Sequence, residues 1–288
     1  MDVLRLTAVT AALLVAACTA TEGDVLTSIE ADAAAVADAP PELDAGGCPT
    51  TPTCPTPPVG DIGVCGQLLD LENSAPVLVD APSVRIFDLD DFRADPLGAI
   101  ALAQIEPDEC GFFATTIDGD PGLVVVHTGE VSGIGPYRRV TTAVATAPST
   151  TVRVAAWGLR RETDEAWSNA AGLIGLSFAE RGALMPIYVD TNQPSLGPLQ
   201  GMPVAGVAMT AGGNPVSTDF YFSDTDPTQR TTLDSNAVVT GANGAAIAPL
   251  ASTVFSFSGD RAGCTFGQGQ TVIIPSAVQV QELAGTCN

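Results

Sequence analysis

Lysine is absent from these 288 residues, and all eleven basic side chains are arginine. Schiff-base chemistry, a phosphate-gripping P-loop lysine and a lysine general base are thereby excluded. Histidine occurs once, at His127 in the run Leu123–Thr128. A histidine-rich metal site is ruled out, and a Ser-His-Asp triad would have to use this one ring. No Gly-x-Ser-x-Gly elbow accompanies it, so His127 is read as a strand-end residue and no catalytic residue is expected. Positive charge is scarce against 33 acids, for a net charge of −22. Such a surface repels nucleic acid and anionic headgroups, and no nucleic-acid partner is expected.

Long apolar runs are also lacking. The run from Leu6 to Ala17, after the single base Arg5, falls short of the roughly 18 to 20 residues that cross a bilayer as a helix, and has the form of an export signal. It ends in Val15-Ala16-Ala17-Cys18, an aliphatic residue, two small ones and a cysteine. This resembles the lipobox of bacterial lipoproteins. The resemblance implies cleavage of a signal peptide, residues 1–17, and lipidation of Cys18. One acyl chain holds only marginally at about 0.8 kcal/mol per buried methylene, so the several chains of that family are what make such an anchor stable. Thr19 stands where an aspartate would resemble an inner-membrane retention signal, which points to the outer membrane. Cleavage leaves the net charge unchanged, because Asp2 and Arg5 leave together.

Six cysteines remain: Cys48, Cys54, Cys65, Cys110, Cys264 and Cys287. An even number in an exported chain predicts disulfides. Fifteen pairings are possible; their distribution suggests Cys48 with Cys54, Cys65 with Cys110, and Cys264 with Cys287. Zinc is disfavoured, since no Cys-x-x-Cys knuckle or nearby histidine exists. Neither a metal nor a cofactor is expected.

Residues 18–60 are rich in Ala, Pro, Thr and acids, with little apolar surface to offset chain entropy, and predict a disordered tether. Beyond it, short β-branched or aromatic runs are punctuated by Gly, Pro, Asp and Ser: Val77–Val79, Val84–Phe87, Gly122–His127, Thr150–Ala155, Leu184–Asp190, Val204–Met209, Thr218–Phe222, Thr253–Phe257 and Thr271–Ile274. That rhythm predicts a mainly β chain of two Ig-like sandwich domains, residues 61–158 and 181–288. One helix is predicted over Thr163–Ile174, in a linker at 159–180. Thr163 would cap it, Ala166, Ala170, Leu173 and Ile174 would form its face, and Trp167 would pack in the core.

The halves echo each other. Asp70 precedes Val84 by fourteen residues and Asp190 precedes Val204 by fourteen. The pattern of strand-Asp, then Pro203-Val204-Ala205-Gly206-Val207, then a glycine turn at Asn243-Gly244, resembles the carboxypeptidase regulatory-like family, a transthyretin-like sandwich. Pro82-Ser83-Val84 lacks the glycine of that pattern, and Asn243-Gly244 lacks the aromatic that Phe112 and Phe113 supply. The resemblance implies a non-catalytic accessory module, with no functional residue carried over.

Three acidic groups are the candidates for cation chemistry: Asp88, Asp90 and Asp91 with Asp95; Asp118 and Asp120; Asp224 and Asp226. None matches an EF-hand loop. The expectation is a lipid-anchored, non-catalytic envelope module that binds a protein or carbohydrate at the cell surface. The alternatives are a secreted hydrolase with a carboxylate pair and a calcium-dependent adhesin.

Overall fold

The computed structural model describes residues 47–49, 51–129, 135–197, 199–249, 256–270, 274 and 276–288. All belong to one unit, Ala39–Asn288. The expected signal segment, Cys18 and most of the expected tether lie outside the described residues.

The first half contains β1 (Ile62–Asp70), β2 (Val84–Asp88), α1 (Leu89–Ala94), β3 (Ala103–Ile105), β4 (Phe112–Ile117), β5 (Leu123–Thr128), β6 (Tyr137–Ala145) and β7 (Thr151–Arg160). β1 lies between antiparallel β4 and parallel β7. Opposite it runs an antiparallel sheet ordered β3-β2-β5-β6. Alternation on the strands explains why these sheets face each other: Ile62, Val64 and Leu68 of β1 meet Val84, Ile86, Val124 and Val126 of the other sheet in one core. At Gly66 a Cβ would fall 1.8 Å from the Val154 carbonyl oxygen of β7. Only glycine allows that parallel pairing.

Two helices follow, α2 (Arg161–Ala170) and α3 (Phe178–Arg181). The second half then comprises β8 (Ala183–Asp190), β9 (Met202–Pro203), β10 (Ala208–Ala211), β11 (Asn214–Pro215), β12 (Phe220–Phe222) and β13 (Leu233–Asp234). It closes with β14 (Ala246–Pro249), β15 (Ser256–Asp260), β16 (Cys264–Phe266), β17 (Gly269–Gln270) and β18 (Ala277–Cys287). Its pairing repeats the first half. β8 lies between antiparallel β14 and parallel β18, and a second sheet runs β11-β10-β15-β17. The Asp echo has the same physical role at both places. Asp70 and Asp190 end β1 and β8, and each carboxylate accepts the N–H two residues on, from Glu72 at 2.8 Å and Asn192 at 3.0 Å. The chain is thus mainly β with few helices.

Strand pairing does not stop at the boundary expected at 159–180. β18 pairs in parallel with β6 of the first half as well as with β8, and among the described residues one connected sheet holds fourteen strands, nine of them in the single path β13-β12-β14-β8-β18-β6-β5-β2-β3. β8 is buried on both faces. Leu184 and Tyr188 face the second half's core, while Met185, Ile187 and Val189 enter a core shared with Leu69, Trp157 and Leu159. α2 and α3 cover that shared core with Trp167 and Phe178.

The helix differs from expectation in register and face. It begins at Arg161 with Arg160 as N-cap, and Thr163 lies inside it, donating its hydroxyl to Glu72 at 2.8 Å. The buried face is Thr163, Asp164, Trp167 and Ser168, whereas Ala166 and Ala170 are exposed and Ile174 is 89% exposed. A polar face is buried because β6 offers it an arginine. Val77–Val79 forms no strand, and Val204–Val207 is a turn, with Gly206 at φ 77°, rather than the start of β10.

Candidate functional site

All six remaining cysteines are bridged, but two of the three expected pairs are wrong. Cys264–Cys287 forms as expected, between β16 and β18. Cys48 bonds Cys110 and Cys54 bonds Cys65, correcting Cys48–Cys54 and Cys65–Cys110. Pro49 and Pro52 favour an extended chain between the two cysteines, and at polyproline's roughly 3.1 Å per residue it would hold them well beyond the roughly 7 Å limit between bridged Cα atoms, which accounts for the first correction. For the second, Cys65 lies opposite Ala114, four residues or about 13 Å of extended chain from Cys110. The result is a strap. Residues 48–49 and 51–60 are fixed to β1 by Cys54–Cys65, to the entrance of β4 by Cys48–Cys110, and to the β7 region by Thr151 Oγ1 donating to the Pro55 carbonyl (2.6 Å) and Gly60 N–H donating to Ser149 Oγ (3.0 Å).

The acidic groups are turn hooks. Asp88 caps α1 by accepting from the N–H groups of Asp90 and Asp91 (2.8 and 3.1 Å), and Asp95 accepts from Leu97 and Gly98. Asp120 accepts from Gly122 N–H and the Thr146 hydroxyl, both at 2.9 Å. Asp224 takes Thr231 and Thr232, and Asp226 takes Thr228. Among the described residues no three His, Cys, Asp or Glu side chains are grouped to hold a metal ion. His127 is buried between the edges of Phe87 and Phe92. Burial first, then Arg85 and Arg139, lower its pKa to about 3, so the imidazole is neutral.

Two buried arginines, which sequence reasoning did not single out, organise the shared core. Arg138 of β6 meets Asp164 at 3.0 Å, Glu165 at 3.3 Å and Glu180 at 3.2 Å. Asp164 is fully buried, and burial pushes its carboxyl up against the downward pull of Ser177, Ala179 and Arg138. Arg230, also fully buried, stands 5.2 Å from the Trp157 ring and donates to the Leu71 carbonyl (3.1 Å) and Ser74 Oγ (2.9 Å). Burial lowers its pKa to about 10, which leaves it a cation at neutral pH.

A cleft of about 400 Å3 opens beside this core, where the β1–β2 loop, the start of β6 and the junction of β7 with α2 converge. Val79, 72% exposed, and Pro136 give it an apolar wall. Arg160 stands 6.0 Å over the Tyr137 ring, with Nε 3.4 Å from Asp70 and Nη1 3.8 Å from Glu162. Asp80 lines it in a left-handed conformation, φ 50°, which costs a non-glycine residue about 1–3 kcal/mol. The closest hint in the sequence was the consecutive pair Arg160-Arg161, but pairing alone does not announce a cleft.

No family model and no curated protein matches the chain. Among solved structures it is similar to the TIE protein of Bacillus anthracis, at 9% identity over 78% of this chain and 34% of that one, TM-score 0.27. It is also similar to the shaft pilin SpaA of Lactobacillus rhamnosus GG, at 9% identity over 80% and 98%, TM-score 0.25. A streptococcal ancillary pilin shares 12% identity over 78% and 62%, TM-score 0.25. The chain thus spans about a third of the length of the Bacillus protein.

Proposed function

We propose that this chain is a non-catalytic module of the bacterial cell envelope, lipid-anchored at Cys18 to the outer membrane, that presents two sandwich repeats to a protein or carbohydrate partner. Each repeat is read as the transthyretin-like sandwich that the sequence resembles, with β4-β1-β7 and β14-β8-β18 as corresponding sheets. The observation that carries the proposal is the strap at residues 48–49 and 51–60. A tether needs a firm attachment where it meets the folded body, and here two disulfides join that segment to a central strand and a neighbouring strand entrance. Constraining loops of this size removes about 3 and 4 kcal/mol of unfolded-state entropy in the chain-entropy treatment. Tension on an anchored N-terminus would thus reach β1 through covalent bonds.

Intact mass spectrometry of the protein from bacterial membranes, with and without reductant, tests this. The expected product begins at Cys18, carries added acyl mass, and gains six daltons on reduction, two for each of three bridges. A different first residue without acyl mass would overturn the anchor.

A further inference from the structure

The cleft at the β7–α2 junction holds charges of both signs that are only loosely engaged. The Arg160 guanidinium is half exposed, and its 3.4 and 3.8 Å separations from Asp70 and Glu162 exceed the roughly 2.7–2.9 Å of a charge-assisted hydrogen bond. Glu162 and Glu165 are 80% and 55% exposed at their side chains. Arg160 is also the N-cap of α2 yet makes no side-chain capping bond, so the partial positive end of a ten-residue helix lies at the same place as the guanidinium. Arg138 beneath is held by three carboxylates and Arg161 by the Gly135 carbonyl, which makes Arg160 the cation best placed to exchange its partners for a ligand. The apolar wall of Val79 and Pro136 completes a site with few polar groups set against a hydrophobic surface.

Charge decides the ligand class. A chain of net charge −22 repels a purely anionic ligand, and Arg160 would oppose a purely cationic one at the cleft itself. A molecule with both signs and no net charge meets neither penalty. We propose that this cleft binds a short zwitterionic peptide, its carboxylate on the Arg160 guanidinium, its ammonium between Glu162 and Glu165, and its small side chains against Val79 and Pro136. The inference rests on the binding-module reading above, naming its ligand class, but not on the anchor. Loss of acyl mass would leave the cleft intact, and a silent cleft would leave the anchor intact.

The test is titration of the full chain, kept in solution by Cys18→Ser, with trialanine, N-acetyl-trialanine and trialanine amide, followed by amide and arginine Nε–H chemical shifts in NMR. Saturable shifts are expected for trialanine at residues 79–80, 137 and 160–165, with a dissociation constant on the order of 1 mM, a scale suited to so small a ligand. Amidating its carboxylate should weaken binding at least about tenfold, as should Arg160→Gln, the loss of one charge-assisted contact. Glu162→Gln, on an exposed side chain whose loss leaves the fold intact, should weaken trialanine several-fold without weakening N-acetyl-trialanine. The proposal is overturned if trialanine gives no saturable shift at about 20 mM, twenty times that constant, if both end-blocked peptides bind as well as the free one, or if neither variant changes affinity.

Discussion

His127 packs edge-on against Phe87 and Phe92, with ring centroids 5.9 and 5.8 Å away, and its lowered pKa of about 3 ties folding to pH. Below the ordinary imidazole value of about 6.5 the unfolded chain binds a proton that the folded chain refuses, so stability falls by about 1.4 kcal/mol per unit as pH drops from 6.5 toward 3. Glu282 on β18 acts in the opposite sense. Burial pushes its carboxyl up to about 7, with the Gln200 N–H pulling it down. The folded chain therefore keeps a proton that the unfolded chain loses above the ordinary carboxyl range, and this contribution is lost as pH rises toward 7. The two slopes oppose each other between about pH 4.5 and 6.5. Urea denaturation across that window should show stability falling with pH in His127→Leu and rising more steeply in Glu282→Gln than in the parent. Identical slopes in all three proteins would contradict both assignments. Arg138 offers a second test at this scale: Arg138→Met strands the fully buried Asp164 and should cost about 3–5 kcal/mol. Adding Asp164→Asn should recover part of it, and a fully additive double variant would show that the pair is not coupled.

Among the elements, what was legible in the sequence depended on how far residue type alone decides conformation. Val84–Phe87, Leu123–His127 and Leu184–Asp190 are rich in residues that fit a pleated buried surface, and they became β2, β5 and β8. β6 and β18 were not anticipated. Their sequences YRRVTTAVA and AVQVQELAGTC place arginine, glutamine and glutamate inside the sheet, where tertiary partners such as Asp164 for Arg138 and the Gln270 carbonyl for Gln279 make burial tolerable. The face of α2 differs from the expected apolar one for the same reason: its buried Asp164 and Ser168 are matched by Arg138 and the Phe178 N–H. Of the candidate site, the cysteines were legible as bridged and the cleft was not, since it forms only when residues around 79, 136 and 160 converge. Disulfide pairing gives the test for this scale. Alkylation of Cys48→Ser unfolded without reductant should label Cys110, and that of Cys54→Ser should label Cys65. Labelling of Cys54 in the first variant would restore the pairing suggested by proximity in sequence.

On the scale of the whole molecule, the repeated pairing pattern and the shared core bear on how the halves unfold. Each half has its own interior, which by itself would allow two independent transitions. Three features act against independence. β18, the last strand, pairs with β6 of the first half and β8 of the second. Trp157, Met185, Ile187 and Val280 share one buried cluster. Arg230 reaches from the β12–β13 loop to the Leu71 carbonyl and Ser74, and its own N–H donates to the Glu72 carbonyl at 2.5 Å while Ser74 Oγ donates back to Thr228. Removing either half would expose that cluster, and removing the first would leave the Arg230 cation without its carbonyl partners. Calorimetry of the disulfide-intact protein should therefore show one transition whose calorimetric and van't Hoff enthalpies agree. A cavity placed wholly in the first half's core by Leu68→Ala should cost about 2–5 kcal/mol and move that single transition as a unit. A profile split into two peaks, with only the first lowered by Leu68→Ala, would mean that the halves are coupled by proximity alone and that the β6–β18 seam contributes little to cohesion.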